Sequence, residues 1–66
     1  MTEMMKFWLR DMYMREADDH IETAKFEHLC ALGSDTQESE IMHEGNAAEH
    51  RAFARILKEM ASQVME

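Results

Sequence analysis

Proline is absent from this 66-residue chain, glycine occurs only as Gly33 and Gly45, and cysteine only as Cys30. Each shortage removes a class of structure. Without proline or runs of β-branched residues, nothing in the sequence opposes long helices. A lone cysteine excludes an intrachain disulfide, and with it a small fold stapled by such bridges. No apolar run approaches the roughly 20 residues of a transmembrane helix. Glu3 and Asp11 break up the apolar start MTEMMKFWLRDMYM, and no small-residue cleavage site follows, so it does not read as a signal peptide. A soluble, cytoplasmic protein with no membrane partner is expected.

Basic residues are scarce as well: seven against fourteen acids, for a net charge of −7. Phosphate binding needs clustered Lys and Arg, so direct binding to nucleic acid is not expected. There is no glycine-rich phosphate loop, CxxC pair or serine elbow. His28 is two residues from Cys30, but positions so spaced on a helix point apart. No catalytic residue stands out, and an enzyme is not expected unless a redox metal supplies the reaction.

What the chain does contain is helix-forming sequence: eight methionines with many Ala, Glu, Lys and Leu residues. The clearest punctuation is Leu32-Gly33-Ser34-Asp35-Thr36-Gln37-Glu38. Gly33 fits the left-handed residue that closes a helix, and Ser34 with Gln37, or Asp35 with Glu38, fits a capping pattern that opens the next. The expectation is an all-α, antiparallel two-helix hairpin forming one domain over 1–66: helix 1 over about 2–32, a turn at 33–35, helix 2 over about 36–64. Gly45-Asn46 falls inside the second helix, and Asn46 with Glu49 is itself a capping pattern. A helix that continues through the pair, with or without a kink, is preferred to a break, because a reversal on two residues would be tight.

At about 100° per residue, Leu9, Tyr13, Ala17, Ile21, Ala24, His28 and Leu32 share one stripe of the first helix, with His20 and Glu27 at its edge. Met42, Asn46, Phe53, Leu57, Met60 and Val64 align on the second. Counting outwards from the turn sets His20 opposite Glu49 or His50, and Tyr13 opposite Leu57. The resulting seam is apolar at the open end and polar at the turn. A further apolar strip with Trp8, Met12, Phe26 and Leu29 lies across helix 1 and cannot be covered by the same partner helix. It is the expected interface of a homo-oligomer, a four-helix bundle or larger, since so short a chain buries little by itself.

The polar half of the seam holds His20, Glu27, His28, His43, Glu49 and His50, candidate ligands for Zn, Fe or Mn, with a hydrogen-bonded polar layer as the alternative. Glu40-Ile41-Met42-His43 has the E-x-x-H spacing and resembles the ferritin-like di-iron bundles. That resemblance implies a metal site completed by dimerisation of a two-helix protomer.

Charge is unevenly placed. Residues 1–15 and 51–66 each carry +1, while 16–50 hold ten acids against Lys25, or −9. Asp18, Asp19, Glu22, Glu38, Glu40 and Glu44 make up most of this acidic surface, which suits a basic protein partner. In general character the chain is similar to small acidic helical proteins of phages and mobile elements. That resemblance implies an interaction or regulatory module, such as an inhibitor whose carboxylates imitate phosphates.

Overall fold

The computed structural model describes all 66 residues and has two helices, α1 (Glu3–Leu32) and α2 (Gln37–Val64), folded back on each other. The fold class is the hairpin expected from the sequence, and α2 runs unbroken through Gly45 and Asn46. Gly45 does not mark a close helix contact, because a Cβ placed there would meet nothing within 4 Å.

Each helix begins on a threonine. Thr2 Oγ1 accepts the Met5 amide, and Thr36 Oγ1 accepts the Ser39 amide, both at 3.1 Å, satisfying donors that the first turn leaves free. The α2 cap is therefore Thr36, not Ser34 or Asp35. Ser34 instead donates to the Cys30 carbonyl at 2.9 Å and lies 3.2 Å from the Ser39 hydroxyl, tying the two ends of the turn together. Gly33 closes α1 at φ −92°. It does not use the left-handed region, and its amide reaches the Leu29 carbonyl at 3.1 Å.

The core departs most from expectation. Six residues are buried, and all are alanines: Ala17, Ala24 and Ala31 on α1, and Ala47, Ala54 and Ala61 on α2. On each helix they recur every seventh residue, the period that keeps one stripe facing a partner along a supercoiled pair. Methyl groups at these positions let the two backbones approach closely. Alternating with the alanines along the same seam are Tyr13, His20 and Glu27 on α1 and His43, His50, Leu57 and Val64 on α2, all partly buried. The expected stripes were thus turned too far. Leu32 and Phe53 stay exposed, at 71% and 50%, because alanines hold the seam.

No large side chain is fully buried. Six methyls at about 0.8 kcal/mol each contribute only a few kcal/mol. The molecule is a rod of 52 × 13 × 10 Å with a radius of gyration of 15.3 Å, against about 11 Å for a compact chain of this length.

Candidate functional site

The polar seam is assembled by the heptad. Since Glu27 and His20 alternate with alanines on α1, and His43 and His50 do so on α2, the antiparallel pairing sets them across from each other in successive layers. His43 Nδ1 meets Glu27 Oε2 at 2.5 Å. Two turns further from the loop, His20 Nδ1 and His50 Nδ1 are 2.8 Å apart, with ring centroids at 5.0 Å. One of these nitrogens donates and the other accepts, so the bond needs at least one neutral ring. The His20 ring also packs 5.4 Å from Phe53. Outside the seam, His28 Nδ1 reaches Glu44 Oε1 at 2.7 Å.

All four histidines thus bind across the hairpin. The Glu27 carboxyl is held below its ordinary value, first by the hydrogen bond from His43, with smaller contributions from Asn46 and from the charges of His43 and His50; partial burial opposes the shift. No buried side-chain polar atom lacks a partner. The layers are closed hydrogen-bond pairs.

This geometry separates the six candidate ligands. His20 pairs with His50, Glu27 with His43, and His28 with Glu44, while Glu49 is exposed and enters none of these pairs. No three His, Cys, Asp or Glu side chains converge on one point. The two clusters expected on the helical wheel, one of His20, Glu49 and His50 and another of Glu27, His28 and His43, do not form. Glu40 of the E-x-x-H spacing is exposed, and three residues before His50 stands the fully buried Ala47. The one surface hollow, about 430 Å³ and open to solvent, lies at the turn between Thr36, Glu38, Ser39 and Met42. It offers no converging catalytic groups.

The two flanks of the seam differ. Residues that follow the seam's polar positions share one flank: Met14, Ile21 and His28 on α1, with Glu44, Arg51 and Lys58 on α2. The His28–Glu44 pair joins the helices there. Residues that precede the alanines share the other: Glu16, Thr23 and Cys30 on α1, with Asn46, Phe53 and Met60 on α2. Leu9 continues this second flank towards the open end, and Met5, Met12 and Ile56 border it. On the second flank α2 presents Phe53 and Met60, while α1 presents Leu9 together with Glu16 and Thr23; on the first, α2 is charged although α1 carries Met14 and Ile21. Of the strip expected to be an interface, Met12 and Phe26 border the second flank, whereas Trp8 and Leu29, 65% and 64% exposed, point away from α2.

The acidic surface is open to solvent. Asp18, Asp19, Glu22, Glu38 and Glu40 are exposed, and Glu44 is partly covered by His28. Within it Glu22 pairs with Lys25 at 3.2 Å, an exposed pair of little energetic weight. From the middle of the rod towards its open end, Arg51, Arg55, Lys58 and Arg10 have no acidic partner, whereas Lys6 and Arg15 pair with Glu3 and Asp11. No helix is long and apolar enough to cross a membrane. Comparisons with protein-family models, with curated proteins and with solved structures gave no match.

Sequence reasoning passed over Ala31, Ala47, Ala54 and Ala61. Their signal was present as alanines spaced by seven on both helices. Phe53 and Met60 were accordingly assigned to the core and not to the surface.

Proposed function

We propose that this chain is a small interaction and regulatory module: a hairpin that self-associates through its apolar surface and presents an acidic turn end to a basic protein. The observation that carries the reading is the inversion of burial, with alanines alone in the core and Phe53, Ile56, Trp8 and Phe26 at least half exposed. Apolar surface on this scale marks a surface made to be covered. The −9 segment supports the second part, because carboxylates spaced along two helices set up a negative field that draws Lys and Arg. Occupying a groove that otherwise takes nucleic-acid phosphates would make the module an inhibitor.

Capture with the wild type and with a variant carrying Glu22→Gln, Glu38→Gln and Glu40→Gln tests this. These side chains lie outside the seam, so the fold is retained. A basic protein held by the wild type at low salt and lost with the variant is the expected result. A partner set indifferent to the three substitutions contradicts the acidic-end reading. The metal-binding alternative needs three or more donors on one ion; the hairpin supplies pairs, so a second copy would have to bring the rest.

A further inference from the structure

We infer that the flank bearing Leu9, Met12, Phe53, Ile56 and Met60 is covered by a second copy of this chain lying antiparallel, the turn end of each hairpin beside the open end of the other. The inference rests on the self-association proposed above and adds its face and its direction.

Area supports a second copy. The hairpin exposes 5069 Å², whereas an ordinary folded monomer of its 7.8 kDa exposes about 4,400 Å². The excess, roughly 700 Å², is close to the ~800 Å² that each partner gives to a standard interface. The flank is chosen by α2. A hairpin docking on both helices must meet either Glu44, Arg51 and Lys58 or Phe53, Met60 and the neighbouring Ile56. Removing the charged set from water has a desolvation cost, whereas the apolar set gains from burial.

Direction follows from charge. The rod is 52 Å long, several times the ~8 Å over which charges are felt at physiological salt, so each end acts through its own residues. Parallel copies would lay one −9 segment along another. Antiparallel copies lay it along the open half, where residues 1–15 and 51–66 each carry +1. Two chains in this arrangement form a four-helix bundle in which the acidic half of each lies beside the weakly basic half of the other.

Asp35, exposed in the turn and outside both flanks, serves as the reporter site as Asp35→Cys in a Cys30→Ser background. It lies at one end of the 52 Å rod. Two spin labels there are therefore expected about 50 Å apart in an antiparallel pair by pulsed dipolar spectroscopy. A dimer with labels closer than about 20 Å, the separation of adjacent parallel helices plus label arms, overturns the direction while leaving self-association standing. A single-chain mass overturns both. The flank is tested separately by Ile56→Lys, an exposed position outside the seam. Dimerisation weakened at least tenfold is expected, and an unchanged dimer overturns the assignment of the face.

Discussion

Ala54 is 3% exposed in the middle of the seam, and its small size is its role. A larger side chain there must push the helices apart or adopt a strained rotamer, and overpacking of this kind costs about 1–3 kcal/mol. Ala54→Leu is expected to lower thermal stability although it adds apolar surface, and calorimetry on the two proteins reads the sign. A more stable Ala54→Leu would mean that the helices are not in close register at this layer. Glu27 makes a different demand. Its carboxyl titrates below its ordinary value near 4.5 because His43 donates to the charged form. A depressed folded-state value contributes stability above the unfolded value, and that contribution is lost as pH falls through the folded one. The difference in melting temperature between wild type and Glu27→Gln should shrink as pH falls from about 5 towards more acidic values. A difference that does not change down to pH 3 would remove the His43–Glu27 pair from the account.

At the scale of the helix, Gly45 is the informative position. It lies within α2, and a Cβ there would meet nothing within 4 Å. Alanine fits the same backbone, so Gly45→Ala should stabilise the chain by about 0.5–1 kcal/mol, measurable by denaturant titration. A loss of stability would place a break or a special backbone conformation at Gly45-Asn46. The same element shows what the sequence discloses and what it hides. The hairpin, its turn around Gly33 and the layer in which His20 meets Glu49 or His50 were legible, because helix propensity and distance from a turn are local quantities. The rotation of each helix was not. A count that follows large apolar residues drew Leu32 and Phe53 inward, although hydrophobicity does not say which side chain is small enough for a close seam. At 100° per residue the wheel also drifts about 20° per heptad from a 3.5-residue repeat, which smears alanines spaced by seven across the wheel. The polar site suffered likewise: with the seam displaced, Glu49 was placed in a cluster that the structure divides into pairs.

At the scale of the molecule, the hairpin buries no large side chain fully while Trp8, Phe26, Phe53 and Ile56 stay at least half exposed, and it separates its charge along its length. The exposed apolar flank follows from a seam narrow enough for alanine, and the uneven charge sets how a second copy lies against it. The most direct test is the native mass of the untagged protein at micromolar concentration, by mass spectrometry and sedimentation together. A mass of two chains of 7.8 kDa each, or a larger defined multiple, is the predicted result. A folded, fully helical species at the mass of one chain, persisting as concentration rises, would contradict the central claim that this surface is made to be covered.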